Sequence, residues 1–218
     1  MYKSIFSDND IKKFEQRYRA TFINSLGGFK SVCLIGTRNR HDQSNLAIFS
    51  SIVHLGANPP LIGFVIRPDS AERHTLENIL ETGFYTLNHI HTNILEKAHQ
   101  TSARYPREIS EFDAVGLTEE YQDFFAPFVK ESHVQIGMEF RERIDFNING
   151  TIFIIGEIKK VIIPTDILQA DGFVNLEFAG TITCNGLDSY HNTFEINRLT
   201  YAKPESWPGP LNSVSHNK

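Results

Sequence analysis

Residues 44–51 read SNLAIFSS and head a longer run, NLAIFSSIVHLG (45–56), whose apolar content and alternation read as a strand. A strand that opens on Ser-Asn and closes on paired serines is either an edge strand with ordinary polar ends or the wall of a binding site. In a wall, the alternate side chains Asn45, Ala47 and Phe49 share a face, and Ser50 and Ser51 offer hydroxyls at its end. Small Ala47 would let a planar ligand approach the backbone N–H groups. The pattern alone leaves both readings open.

Working outward, SVCLIGTR (31–38) precedes this run across the polar loop NRHDQ, and PLIGFVIR (60–67) follows it across the turn ANPP. Such short connections predict antiparallel pairing. The period then changes. Leu76, Ile79 and Leu80 fall on one face of a helix predicted over 71–82, with Ser70 at its cap and Gly83 at its end. FYTLNHI (84–90) is again a strand, TNILEKAHQTS (92–102) a short helix capped by Thr92, and 103–130 a mixture of short helical and irregular pieces. HVQIGMEFRERIDF (133–146) and TIFIIGEIKKVII (151–163) are predicted to form a hairpin. Its Asn149-Gly150 dipeptide suits a type I′ turn, a better reading than the glycosylation signal that Asn149-Gly150-Thr151 also spells. At the front, Ile11, Phe14 and Tyr18 predict an entry helix over 8–20, capped by Ser7 or Asp8. Three units are expected: a helical extension (1–20), a main domain (21–200) and a flexible tail (201–218). Some six strands with helices inserted, and no β-α-β rhythm, predict a mainly β (α+β) antiparallel barrel or sandwich.

The totals narrow the function. With 218 residues, 40% of them hydrophobic and 17 of them Phe, the chain can bury a large aromatic core without staples. A formal charge of -5 and the lack of any Lys/Arg block argue against nucleic acid as a partner. No apolar run approaches the ~20 residues that span a bilayer, and the polar, periodic N-terminus is unlike a signal peptide, so no membrane partner and a cytoplasmic location are expected. Cys33 and Cys184 lie in separate strand-like runs and are expected to be buried free thiols.

No dinucleotide or phosphate-loop glycine motif, nucleophile elbow, His-Glu-x-x-His or Cys-x-x-Cys is present. Any nucleotide must be held by another device, and RPDSAERHT (67–75) offers one, where a strand ends and a helix begins. A helix N-terminus presents unpaired N–H groups and a partial positive charge; Arg67, Ser70, Arg73 and Thr75 add charge and hydroxyls. The plainer alternative is that Ser70 caps the helix and both arginines face water. His89 and His91 share a strand face, but without a third ligand at readable spacing they read as a half-exposed surface and not as a metal site. Glu119-Glu120 reads as solvated charge, and no Ser, His and acid trio declares itself.

In their order along the chain, FINSLGGFKSVCLIGTR, SNLAIFSSIVHLGANPPLIGFVIRP, RHTLENILETGFYTLNHI, AHQTSARYPREISEFDAVGL and NGTIFIIGEIKKVII resemble the flavin reductase-like, flavoredoxin-like family of the FMN-binding split barrel. The resemblance implies an antiparallel Greek-key split barrel with inserted helices, a homodimer, and FMN in a cleft at or near the subunit interface. The family's Asn-Leu-Ala-Pro-Phe-Ser strand maps onto Asn45, Leu46, Ala47, Ile48, Phe49 and Ser50, which the resemblance makes cofactor-binding positions, the polar ends facing the flavin ring and ribityl chain. Its Lys/Arg-Asp-Thr segment maps onto Arg73, His74 and Thr75, where the phosphate argument also leads. Ser102 and Tyr105 match a Ser-Ala-x-Phe/Tyr-Pro segment, and Tyr190 a late tyrosine. Two departures stand out. Ile48 replaces a proline and restores a backbone donor, and His74 replaces an acid, which makes the charge at that end depend on pH. The implied activity is hydride transfer from NADH or NADPH to flavin, with electrons passed on to free flavin, a partner or oxygen. The alternative is a flavin- or haem-binding carrier or sensor without turnover.

Overall fold

In the computed structural model, which describes residues 1–68 and 73–211, the chain enters through two short helices, where one over 8–20 is predicted. Ser7 caps α1 (Asp8–Lys13): its hydroxyl accepts from the Asp10 N–H while the Asp10 carboxylate accepts from the Ser7 N–H. Phe14 then turns to ψ 140°, and Glu15 caps α2 (Gln16–Leu26) by accepting from the N–H groups of Arg17 and Tyr18. Periodicity hides this break because Ile11, Phe14 and Tyr18 keep helical spacing across it.

After β1 (Lys30–Ser31) and β2 (Cys33–Arg38), the run read as one strand over 45–56 is two, β3 (Ser44–Phe49) and β4 (Ile52–Ala57), broken at Ser50-Ser51. β5 (Pro60–Ile66) returns from β4. α3 (His74–Thr82) starts later than predicted, with Arg73 at its N-cap and no side-chain capping bond; Ser70, the predicted cap, lies outside the described residues. Gly83 ends it in the left-handed conformation at φ 80°. β6 (Phe84–His89) leads to a 3-10 turn over Thr92–Ile94 that runs into α4 (Leu95–Gln100). The cap there is His91, not Thr92: its Nδ1 accepts from the Asn93 N–H. α5 (Glu111–Val115), β7 (Glu119–Glu120) and β8 (Phe128–Val129) occupy the mixed stretch. The long hairpin is β9 (Gln135–Phe146) with β10 (Thr151–Ile162). Its connection is a four-residue loop and not a type I′ turn: Phe146 pairs with Thr151, only Gly150 takes positive φ (72°), and Asn149 Oδ1 accepts from the Thr151 N–H and hydroxyl. β11 (Thr183–Asn185) and β12 (Ser189–His191) join β1 in a small second sheet.

Seven strands form one antiparallel sheet in the order β3-β2-β6-β9-β10-β5-β4. Its two edge strands are consecutive in the chain. Laid flat, seven strands would hold their edges ~29 Å apart. The chain from Phe49 to Ile52 reaches at most ~11 Å. The sheet therefore rolls until its edges meet at Ser50-Ser51, and it is split beyond that corner where β3 and β4 part. The corner is fixed to the next strand by the Val65 N–H, which donates to the Ser51 carbonyl at 3.2 Å. This is the split barrel, and the paired serines are its corner, not the tail of a strand.

Ile35, Phe64, Tyr85, Leu87, Met138 and Ile154 form one buried cluster of the barrel. A second cluster, including Leu34, Leu46, Ile90 and Phe112, packs β2 and β3 against the α4 and α5 side. Cys33 and Cys184 are free and buried, as expected.

His89 and His91 do not form a half-exposed strand face. His91 lies past the end of β6, is buried, and stacks on His133 with ring centroids 4.3 Å apart. His89 sits against Thr181, and burial pushes its pKa down to about 4. An unfolded histidine titrates near ~6.5, so between that pH and about 4 the unfolded chain takes up a proton that native His89 refuses. Stability contributed by neutral His89 is present above pH ~6.5 and is lost as pH falls through this window. Urea unfolding at neutral pH and at pH ~5 should show that loss, and His89→Gln should flatten it. An unchanged difference in the variant would assign the acid sensitivity elsewhere.

Candidate functional site

One cleft of about 860 Å³ opens where the barrel corner, the start of α3 and the small sheet come together. Its volume is in the range of small-molecule sites. Thirteen of the fifteen residues singled out in the sequence line it. Asn45, Ala47, Ile48, Phe49, Ser50 and Ser51 form its long wall. Arg67 comes from the end of β5, and Arg73, His74 and Thr75 from the first turn of α3. Ser102 and Tyr105 follow α4, and Tyr190 stands on β12. Leu46 is not among them: its side chain is fully buried in the second cluster. Ser70 lies outside the described residues.

The polar end of the cleft is organised around α3. Asn45 Nδ2 donates to Thr75 Oγ1 at 3.0 Å, which ties β3 to the helix start. The Arg73 N–H is accepted by Glu77 Oε1 at 3.3 Å, and Glu77 in turn pairs with Arg107. Arg73 Nη2 donates to the Pro68 carbonyl at 3.1 Å, but its Nε is buried with no partner among the described residues. A buried guanidinium N–H without an acceptor is costly. An anion at the first turn of α3 would satisfy it and would also meet the helix's end N–H groups. The residues present therefore fit a phosphate-bearing group.

The long wall is clamped along its free edge by Glu111, the first residue of α5, which also lines the cleft. Its carboxylate is buried and accepts from the Leu46 N–H at 2.9 Å. Burial pushes the carboxyl pKa up, partly offset by the Leu46 hydrogen bond. Because the Leu46 N–H turns away from β2, strand alternation puts the Ile48 N–H on the same free edge. That donor is the one a proline at this position would lack. Glu111→Ala leaves the Leu46 N–H without its acceptor and should cost ~1–3 kcal/mol, whereas Glu111→Gln keeps an acceptor and should cost much less. Denaturant unfolding of the two variants measures the contrast, and equal losses would contradict the clamp.

The far end holds residues that sequence patterns did not single out. His99 Nδ1 lies 2.7 Å from the Tyr190 hydroxyl, and Lys30 Nζ donates to the Gly186 carbonyl at 2.8 Å. Burial pushes the Tyr190 pKa up to about 12, so the phenol stays protonated at neutral pH. Tyr105 accepts from Gln100 Nε2 at 3.0 Å. Cys184, paired with Tyr190 across the small sheet, also lines the cleft, as do Asn24 and Asp188. No local signal marks His99, Lys30 or Glu111, since each acquires its place only through contacts distant in sequence. Among the described residues, no group of three or more His, Cys, Asp and Glu side chains is placed to hold a metal ion, and no helix is long and apolar enough to cross a membrane.

Comparison with known proteins adds an independent line. The sequence profile of the flavin reductase like domain matches residues 29–179. The split-barrel protein of Shewanella frigidimarina NCIMB 400 is 51% identical, with a TM-score of 0.89 over 92% of this chain and 100% of that one. Nitrilotriacetate monooxygenase component B of Bacillus cereus is 19% identical, with a TM-score of 0.80 over 91% of this chain and 100% of its own. Flavoredoxin of Desulfovibrio vulgaris (Miyazaki F) is 21% identical, with a TM-score of 0.67 over 82% and 92%. The last two likenesses are of fold.

Proposed function

Because the chain belongs to the flavin reductase like domain family, we propose that it is an FMN-dependent oxidoreductase that takes hydride from NADH or NADPH and passes electrons to free flavin or to a partner. The observation that carries the FMN reading is the buried Nε of Arg73, without a partner among the described residues, at the anion-ready end of a cleft whose long wall is an edge strand. Arg67, Arg73 and Thr75 would hold the phosphate, through charge-assisted hydrogen bonds and the end N–H groups of α3. Ser50 and Ser51 sit at the corner between that end and β3. Ala47 leaves room for a flat ring to approach the strand, and the Ile48 N–H would be a fixed donor toward such a ring. Tyr190 and His99 would bound the ring's far side.

FMN held there would supply the redox chemistry, hydride acceptance from a reduced nicotinamide. The chain's part is to orient the ring, keep one face open and present fixed donors. No side chain need act as nucleophile or general base. The test is anaerobic mixing of the FMN-loaded protein with NADH and, separately, NADPH. Loss of the visible flavin absorption, faster than for free FMN, is expected with at least one of them. Colour that persists with both would favour a carrier or sensor that binds flavin without turning over.

A further inference from the structure

We propose that Glu111 makes the cleft discriminate between the oxidation states of its flavin: the carboxylate, set on the free edge of β3 that meets the ring, weakens the hold on the more negative reduced form and takes up a proton when that form is bound. This rests on the FMN reading above and adds to it the residue that sets the preference.

Among the described residues, two acidic side chains line the cleft, Glu111 and Asp188. Asp188 is exposed, so water and salt screen it. Glu111 is 6% exposed, and a charge held there is screened little. Its Oε2 accepts from the Leu46 N–H at 2.9 Å, and the Ile48 N–H leaves the same edge two residues on, ~7 Å along the strand. A ring against Ala47 and Ile48 therefore lies within the field of this carboxylate. The cations of the cleft are placed elsewhere. Arg67 ends β5, Arg73 starts α3, Arg104 follows α4, and Lys30 Nζ is held at the Gly186 carbonyl. The titratable and charged groups on the elements around Glu111 are His74 on α3, Lys97 and His99 on α4, Asp113 on α5 itself, and Glu119, joined to β3 through the Ser44 hydroxyl.

The clamp on β3 does not call for a charge. A glutamine carbonyl would accept from the Leu46 N–H as well, without the cost of taking a carboxylate out of water. Burial pushes the Glu111 carboxyl pKa up, the Leu46 hydrogen bond and the charge of nearby His74 pull it down, and the balance is upward. Negative charge added beside such a group raises its proton affinity further. Hydride from a reduced nicotinamide carries two electrons and one proton, so a flavin that has accepted it is one unit more negative. A proton taken from water by Glu111 cancels that unit at the wall. Two unit charges ~7 Å apart, at the effective dielectric of a protein site, change a binding ratio by roughly 10- to 50-fold.

Glu111→Gln keeps the size and the acceptor and removes the charge. The measurement is the reduction potential of bound FMN from about pH 5 to about pH 8. At the alkaline end the variant's potential should lie above the parent's by ~30–50 mV, which is that 10- to 50-fold change in the relative affinity for reduced and oxidised FMN. The two curves should converge as pH falls and Glu111 gains its proton. In the parent alone, reduction in weak buffer should take up more protons than reduction of free FMN, as read by an indicator dye. A clamp without this role would change stability and leave the potential where it was, so equal potentials at every pH overturn the proposal. A gap that does not narrow with falling pH, or uptake no greater than that of free FMN, overturns the proton step. With His74→Gln in both backgrounds the gap should persist, and its loss would assign the effect to His74 and overturn the proposal. The two readings fail separately. A protein that binds no FMN refutes the flavin reading and this role with it, whereas one that binds FMN with the same potential in parent and variant refutes this role alone.

Discussion

Arg73→Ala is expected to weaken FMN binding by ~10- to 100-fold, the equivalent of ~1.5–3 kcal/mol for a charged hydrogen bond to phosphate. Riboflavin, which has no phosphate, should bind the variant and the parent alike. Arg73→Lys should recover part of the loss, since a point charge remains but the planar donor fork does not. Quenching of flavin fluorescence on titration measures all three. Arg73 also donates to the Pro68 carbonyl, so the thermal midpoint of each variant must be followed as well. An unchanged FMN Kd in a folded Arg73→Ala protein would put the phosphate somewhere else.

A comparably large effect is expected far from the cleft's polar end. A Cβ added at Gly36 would fall within the contact shell of the Pro127 carbonyl oxygen and 2.7 Å from Thr86 Oγ1. Neither neighbour can easily move. The Thr86 hydroxyl donates to that carbonyl at 2.6 Å, and the Val129 N–H is held by Asn88 Oδ1 at 2.9 Å, so the segment carrying Pro127 is clamped onto β2 and β6. Overpacking usually costs ~1–3 kcal/mol, and against a fixed backbone oxygen Gly36→Val should lie at or beyond the top of that range. That corresponds to a fall in Tm of roughly 6–12 °C for a domain of this size. A loss below ~1 kcal/mol would mean that the segment gives way freely.

These two positions also show what the sequence could and could not disclose. The start of α3 was legible because its chemistry is local: a strand end, a helix start and arginines within nine residues need no distant partner to be recognised. The wall of β3 was legible through its alternation and the smallness of Ala47. The break at Ser50-Ser51 was not, because two serines in an extended run carry no dihedral signature, and the corner exists only because β3 and β4 end up at opposite edges of one rolled sheet. Glu111 in SEFDAV reads as an ordinary helix-start acid, yet its partner is Leu46, 65 residues away. His99 meets Tyr190 across 91 residues. Leu46 was misplaced for a related reason. Its side chain alternates into the cluster beneath β3, and only its backbone N–H faces the edge. Glu15 as a second cap and His91 in place of Thr92 were missed because hydrophobic spacing continues through both caps.

The central claim is that FMN lies in the cleft along β3 with its phosphate at the first turn of α3. A crystal structure of the protein with FMN tests it most directly. The account predicts phosphate oxygens within hydrogen-bond distance of Arg73 Nε and Thr75, with the ring against Ala47 and Ile48. A flavin outside the cleft, or one whose phosphate points toward Lys30 and Tyr190, would contradict it.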